Sequence, residues 1–325
     1  DSAEQRREGL FMLGQVAALR WATTSITGLH EQVSTGATFF LATRAATLGL
    51  AGPEPRREPP APRPMDIAIV GAACVFPGAP DTASYWANIV RGVDAVTEVP
   101  AERWDPELYY DPDAGREGRT PCKWGGFIPG VPFDALAHGV PPTSLDSIDP
   151  AQLLGLEVAF RALRDAGYGD RPFDRSRASV FFGAATGAGL GAAYAMRALL
   201  PMYYGDVPPG LDAQLPRPTE DSLPGALPGM IAGRIAERLG LGGTACAIAG
   251  DSGMAALDAA CRELLSGGSD LVLCGGADLR NGIHDYLLAA AAGELSPSGR
   301  CAPFDASSDG FVPGEGVACV ALKRL

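Results

Sequence analysis

Apolar residues recur along the chain either at helical spacing or in short unbroken runs, and the two patterns alternate. The stretch from Gly240 to Gly276 shows both. Met254, Leu257, Cys261, Leu264 and Leu265 fall at helical spacing and predict one apolar face. Gly267 and Gly268 stop that helix, because glycine enters the left-handed conformation of a helix end without steric cost. Leu271-Val272-Leu273-Cys274 follows as an uninterrupted run, which suits a strand covered on both faces.

The same reading extends to both sides of this stretch. Ile67 to Val70 predicts a buried strand, with Gly71 opening a small-residue turn toward Phe76-Pro77-Gly78. A helix is expected around Tyr85 to Val90, closed by Gly92. Asp149-Pro150 opens a strong helix, since proline at the first position forfeits no hydrogen bond and the aspartate caps the end. Leu153, Leu156, Phe160 and Leu163 form its core face and Gly167 ends it. Ser179 to Gly183 is a further buried strand, followed by a glycine-rich turn, a proline-rich excursion over Pro208 to Pro228 and a helix from Met230 to Leu239. Val317 to Leu322 is the last strand, expected to be a hydrophobic sheet edge. The alternation predicts an α/β fold with a mostly parallel sheet.

Upstream, the pattern changes character. Residues 1–52 read as a helical segment with LFMLGQVAALRW (Leu10 to Trp21) as its amphipathic part, and its GQVAALR run (Gly14 to Arg20) is similar to the closing helix of flavin-dependent barrels of the nitropropane dioxygenase type. An inter-domain helical segment, a possible tail of a preceding domain, is the simpler reading. Residues 53–64, Pro53 to Pro64, are dense in Pro, Arg and Glu with no apolar anchor, as in a semi-rigid linker. Residues 65–325 form the main domain. The chain starts at Asp1 and not at Met, as a piece of a longer protein would.

Composition narrows the function classes. The 325 residues are 46% hydrophobic and 20% charged, with a net charge of -12, which argues against a nucleic-acid surface or a polybasic membrane anchor. No apolar run reaches the ~18 residues of a membrane span and no signal peptide is present. Seven cysteines without a CxxC pair, beside three histidines, point to reduced cysteines, a cytoplasmic location and no metal site. Six of them (Cys74, Cys122, Cys261, Cys274, Cys301, Cys319) read as small core hydrophobes. GAACVFPG after the first strand lacks GxGxxG spacing, so no dinucleotide site is expected.

Taken together, IAIVGAACVFPGA, YWANIVRGVDAVTEVPAERW, DPAQLLGLEVAFRALRDAG, AGRIAERLGL, AALDAACRELLSGGSDLVLCGGAD, LSPSGRCAPFDASSDGFVPGEG and VALKRL resemble, in order and spacing, the N-terminal half of the ketosynthase (β-ketoacyl synthase) domain of modular polyketide and polyunsaturated fatty acid synthases. The resemblance implies a thiolase-like layered α/β/α arrangement, the N-terminal half of a five-layer αβαβα fold. It implies homodimers, an acyl carrier protein and neighbouring synthase domains as partners, and phosphopantetheine as the substrate carrier with no directly bound cofactor. It also implies acyltransferase chemistry: a cysteine at a helix N-terminus takes the acyl group, and two histidines decarboxylate the extender. His30, His138 and His284 match neither histidine motif.

In that family the cysteine lies in D-T-A-C-S-S-S-L just before the apolar helix. Counting back from AALDAACREL places Gly250 at the nucleophile position. A slipped register would bring Ser252 there, and reading GGTAC from the left would choose Cys246. GDSG imitates a hydrolase elbow, but Met254 stands where GxSxG needs glycine. Asp305, Asp309 and Glu315 match polar positions of the family's PFD and EG signature, either shaping the loop beside the acyl site or acting as turn and capping carboxylates. With glycine at the key position the expectation is a condensation-deficient ketosynthase-like domain. The alternative is a non-catalytic dimerisation or interaction module, or a chain-length-factor-like partner.

Overall fold

The computed structural model describes residues 25–50, 65–113, 117–184, 188–249 and 253–325. The Leu10 to Trp21 helix, the Pro53 to Pro64 linker, Gly250 and Ser252 lie outside the described residues. Contacts divide the chain into Asp1–Pro64 and Met65–Leu325. In the first unit, α1 (Ile26–Glu31) runs through a wider turn, Gln32–Gly36, into α2 (Ala37–Thr47). Ser25 caps α1 by accepting the Gly28 N–H at 3.0 Å.

The second unit is built on β1 (Ile67–Val75), α3 (Thr82–Arg91), β2 (Thr97–Glu98), β3 (Trp124–Gly125), α4 (Pro150–Asp165), β4 (Ala178–Ala184), α5 (Ala188–Tyr204), α6 (Met230–Leu239), β5 (Ala245–Ala249), α7 (Gly253–Ser266), β6 (Leu271–Asp278), α8 (Ile283–Ala291) and β7 (Gly316–Arg324). Five strands form one sheet in the order β1-β7-β6-β4-β5. The ladders of β4 with β5 and β6 are parallel, whereas β7 runs antiparallel to both β6 and β1. The sheet is therefore mixed. The expected hydrophobic edge at Val317 to Leu322 is instead an interior strand, flanked by β1 and β6.

Strand alternation sends side chains to two faces. Ala178, Val180 and Phe182 of β4, Leu271 and Leu273 of β6, and Val317, Cys319 and Ala321 of β7 share one cluster with α4 and α6. Phe181, Val272, Cys274 and Leu322 share another with Ala256, Ala260 and Leu264 of α7. This helix–sheet–helix layering explains why β4 and β6 read as continuous apolar runs.

Helix ends follow their caps. Asp149 accepts the Ala151 N–H at 2.8 Å at the start of α4. Gly92, Gly167 and Gly267 take positive φ after α3, α4 and α7. Gln152 in the first turn of α4 donates to the carbonyls of Pro224, Gly225 and Leu227, and accepts from Arg234 at 2.8 Å, so one buried amide ties the proline-rich excursion to α4 and α6.

Other expectations are corrected. β1 does not turn at Gly71 but continues to Val75, and it is Ile69 and Val70 that are exposed while Ala73, Cys74 and Val75 are buried. Gly71 is needed for a close approach: an added Cβ would meet the backbone of Ala162 and Ala166 in α4, and the ladder shifts register between Ile69 and Gly71. Met254 and Leu265 lie on the exposed side of α7, where small residues, Ala256 and Ala260, do the packing with Leu264. Cys301 is exposed and not a core residue. Residues 188–204 form the long helix α5, which the sequence pattern did not mark. No helix of the described residues is long and apolar enough to cross a membrane.

Candidate functional site

The C-terminal ends of β4, β5 and β6 come together in register: Ala184 pairs with Ala249 on one side and Ala277 on the other. Outside the carboxyl ends of parallel strands is where open α/β sheets place ligands. β5 ends at Ala249 and α7 begins at Gly253, so the three positions 250–252 join a strand end to a helix start. Two consecutive glycines in β6, Gly275 and Gly276, face opposite sides of the sheet, and Gly276 lies beneath the start of that helix. A Cβ on Gly276 would lie 3.5 Å from the Gly253 Cα. On the opposite face, a Cβ on Gly275 would collide with the Phe182 ring and stand 2.5 Å from the Ala318 carbonyl oxygen.

Of the three candidates for the nucleophile position, Gly250 and Ser252 are outside the described residues. Cys246 is inside β5, in register with Phe181, and its side chain packs with the cluster under α7. It is a partly buried strand residue, separated from the first residue of α7 by the rest of β5 and positions 250–252.

Beside the strand ends opens a cavity of about 910 Å³, walled by Phe127, Ile128, Leu154, Leu190, Ala277 and Leu279 with Arg103 and Glu315 at its polar side. Ala277 is two strands from Ala249, about 10 Å at the usual strand spacing, so cavity and strand–helix junction adjoin. Glu315 is buried, and its Oε2 accepts the Ile128 N–H at 2.7 Å and Arg103 Nη2 at 2.8 Å. Burial pushes its carboxyl above the ordinary glutamate range, against the lowering by the Ile128 N–H and by Arg103. Glu315 Oε1 and Trp104 Nε1 are buried without a hydrogen bond among the described residues.

Asp309 accepts the Ser296 hydroxyl at 2.5 Å and the Ser298 N–H at 3.3 Å, which hold its carboxyl below the usual range. Asp305 accepts the Ser307 N–H and hydroxyl at 2.8 and 2.7 Å, closing an exposed turn, with a carboxyl likewise lowered. The three acidic residues are thus not one cluster. Two close turns in the loop before β7, and only Glu315 faces the cavity.

Residues 65–325 match the family model described as Beta-ketoacyl synthase, N-terminal domain. The chain belongs to that family. A phenolphthiocerol/phthiocerol polyketide synthase polypeptide of Mycobacterium tuberculosis is 38% identical over 263 residues, 80% of this chain and 16% of that protein. Phthioceranic/hydroxyphthioceranic acid synthase of Mycobacterium bovis is 39% identical over 276 residues, 81% of this chain and 12% of the relative. Among solved structures, the oxazolomycin ketosynthase domain OzmH KS7 of Streptomyces albus JA3453 superposes with a TM-score of 0.66 at 31% identity, over 80% of this chain and 42% of that one. The ketosynthase from module 6 of the bacillaene synthase of Bacillus subtilis 168 gives 0.63 at 30% identity, over 80% and 40%. The fold is therefore the thiolase-like fold of these ketosynthase domains. The chain spans only 16% of the length of the first of these synthases.

Sequence reasoning missed Arg103 and the pairing of Gly275 with Phe182. Arg103 carries no motif of its own, and only the fold brings it to Glu315, 212 positions later. The glycine pair was legible as a consecutive GG inside an apolar strand, where glycine marks close backbone approach.

Proposed function

We propose that this chain is the N-terminal part of a ketosynthase-like unit of a polyketide synthase that binds acyl thioesters without forming an acyl-enzyme. The observation that carries the reading is the run between β5 and α7, which is Gly-Asp-Ser at positions 250–252 and contains no cysteine. A nucleophile at a helix start gains thiolate character and N–H donors for the thioester oxygen. Gly250 has no side chain to donate, and Ser252 would need an adjacent base. Cys246 is held in the strand.

The apolar walls of the adjoining cavity suit an acyl chain, and Arg103 and Glu315 fix one of those walls by tying the backbone at Ile128. The acyl group would arrive on the phosphopantetheine of an acyl carrier protein. Neighbouring synthase domains and a second copy of the unit are the further partners, in the cytoplasm. The test is binding of a non-hydrolysable acyl-pantetheine thioether to the full-length protein by calorimetry. Saturable binding that weakens when Ala277→Phe fills the cavity supports the reading, and absence of binding contradicts it.

A further inference from the structure

Most of the charged side chains that wall the cavity beside the strand ends already have a partner in the protein. Arg103 holds Glu315, and Arg280 holds Asp278 at 2.9 Å. Asp285 accepts the Gly282 N–H at 3.2 Å. Glu315 uses Oε2 for Arg103 and Ile128, and its Oε1 is sealed inside the protein. Asp149 is different. It lines the same cavity, half-buried, and its Oδ1 accepts the Ala151 N–H at 2.8 Å, while no donor among the described residues bonds its second oxygen, Oδ2.

The wall around that carboxylate is apolar. Leu153 and Leu154, from the same end of α4, line the cavity with it and pack in one cluster with Val131, Phe133 and Leu279 of the other walls. Burial raises the Asp149 carboxyl, the Ala151 N–H alone opposes it, and no cation draws it down. A chain that fills the cavity strips water from Oδ2, and an acceptor that loses water without gaining a donor is destabilised. A methylene offers no donor. A carbonyl oxygen brings a second acceptor against the first, and a carboxylate adds like charge. A hydroxyl group supplies the missing O–H.

We propose that the cavity selects an acyl chain carrying a hydroxyl group, whose O–H donates to Asp149 Oδ2. The proposal rests on the reading that the unit binds acyl thioesters, and it names which chains the cavity retains. A site built to hydrogen-bond a hydroxyl rejects the analogue without it more sharply than an apolar wall rejects a change of one methylene. Asp149 thereby determines specificity, and its cap fixes how the test works. In Asp149→Asn the amide oxygen stays on the Ala151 N–H, because asparagine caps a helix as well as aspartate does, and the NH2 group takes the place of Oδ2. An acceptor becomes a donor at constant shape.

The experiment titrates the full-length protein by calorimetry with non-hydrolysable pantetheine thioethers of one medium-length chain, either saturated or bearing a hydroxyl or an oxo group at each odd-numbered carbon in turn. A hydroxy chain of one position is expected to bind about ten-fold tighter than the saturated chain and than the oxo chain of the same position. Asp149→Asn should bring that oxo chain to within about two-fold of the hydroxy chain, since an amide N–H serves either oxygen. Folding of the variant is checked by circular dichroism, and the comparison of chains on the unmodified protein stands without it. Equal affinity for saturated and hydroxy chains at every position would overturn the proposal and leave acyl binding intact. So would a ratio of hydroxy to oxo affinity that Asp149→Asn leaves unchanged. Failure of every chain to bind would overturn both readings together.

Discussion

Arg103 Nη2 donates to Glu315 Oε2 at 2.8 Å across 212 positions of sequence, and the same oxygen accepts the Ile128 N–H at 2.7 Å. One carboxylate thereby joins the strand entering the sheet at β7 to the loop that walls the cavity. Glu315→Ala leaves the buried Ile128 N–H without its acceptor, a loss of about 1–3 kcal/mol, while the part-exposed Arg103 keeps its bond to the Ile128 carbonyl. Glu315→Gln keeps an acceptor for Ile128 and loses only the ion pair, so its midpoint in urea should fall less than that of the alanine variant. Because the folded-state pKa of Glu315 is raised by burial, its contribution to stability grows as pH falls toward the unfolded value and diminishes above the folded one. The glutamine variant should lack that part of the pH dependence.

Asp270 behaves in the opposite sense. Arg177 and Arg324 hold it, drawing its carboxyl down to about 2. A depressed carboxylate contributes stability above its unfolded pKa and loses it as pH falls through the folded value. The contribution of this cross-link between the starts of β4 and β6 and the end of β7 should fade between about pH 4 and pH 2. Asp270→Asn should flatten the acid limb of a stability–pH curve in that window and leave the limb above pH 5 parallel to wild type. The group is solvent-exposed, so added salt should reduce the difference.

Gly275 and Gly276 give unequal penalties when substituted. Gly275→Ala drives a methyl into Phe182 and toward the Ala318 carbonyl, and overpacking of that kind costs about 1–3 kcal/mol or more. Gly276→Ala meets the Gly253 Cα at 3.5 Å and the Gly183 carbonyl oxygen at 3.8 Å, both ordinary contacts. Urea unfolding should show the first variant much less stable than the second. Equal midpoints would contradict the close approach.

Much of this fold was legible because caps and periodicity agreed. Asp149-Pro150 and Gly167 bracket α4, and the apolar runs of β4 and β6 declare strands covered on both faces. α5 escaped because its apolar residues surround the helix, Pro201 lies inside it and no polar face sets a period. Gly71 is ambiguous in sequence, because a glycine after an apolar run fits a bend or a close approach, and only the position of α4 decides. Met254 and Leu265 mislead because Ala256, Ala260 and Leu264 turn the face of α7 that meets the sheet away from them. The acidic positions of the last loop were found from motif, but which one faces the cavity depends on contacts more than a hundred residues apart in sequence, as between Ile128 and Glu315.

Thiol chemistry separates the cysteines. Cys301 is exposed, Cys274 is buried with its thiol pushed up to about 12, and buried Cys319 is raised further. At pH 8 a thiol of pKa 12 is about one part in ten thousand thiolate. Brief iodoacetamide treatment of the native protein should therefore alkylate Cys301 first and spare Cys274 and Cys319 until denaturant is added. Labelling of Cys274 at the rate of Cys301 would contradict the packing of β6 beneath α7.

The most direct test is covalent. The full-length protein carrying this chain is incubated with an acyl-N-acetylcysteamine thioester, then digested and mapped by mass spectrometry beside its Gly250→Cys variant. The expected result is no acyl adduct on residues 244–254 of the unmodified protein and an adduct at position 250 of the variant. Deleting a catalytic nucleophile typically removes ~10⁴- to 10⁶-fold in rate, so the contrast should be all but complete. An acyl adduct on Ser252 or Cys246 of the unmodified protein would contradict the account and move the nucleophile to that residue.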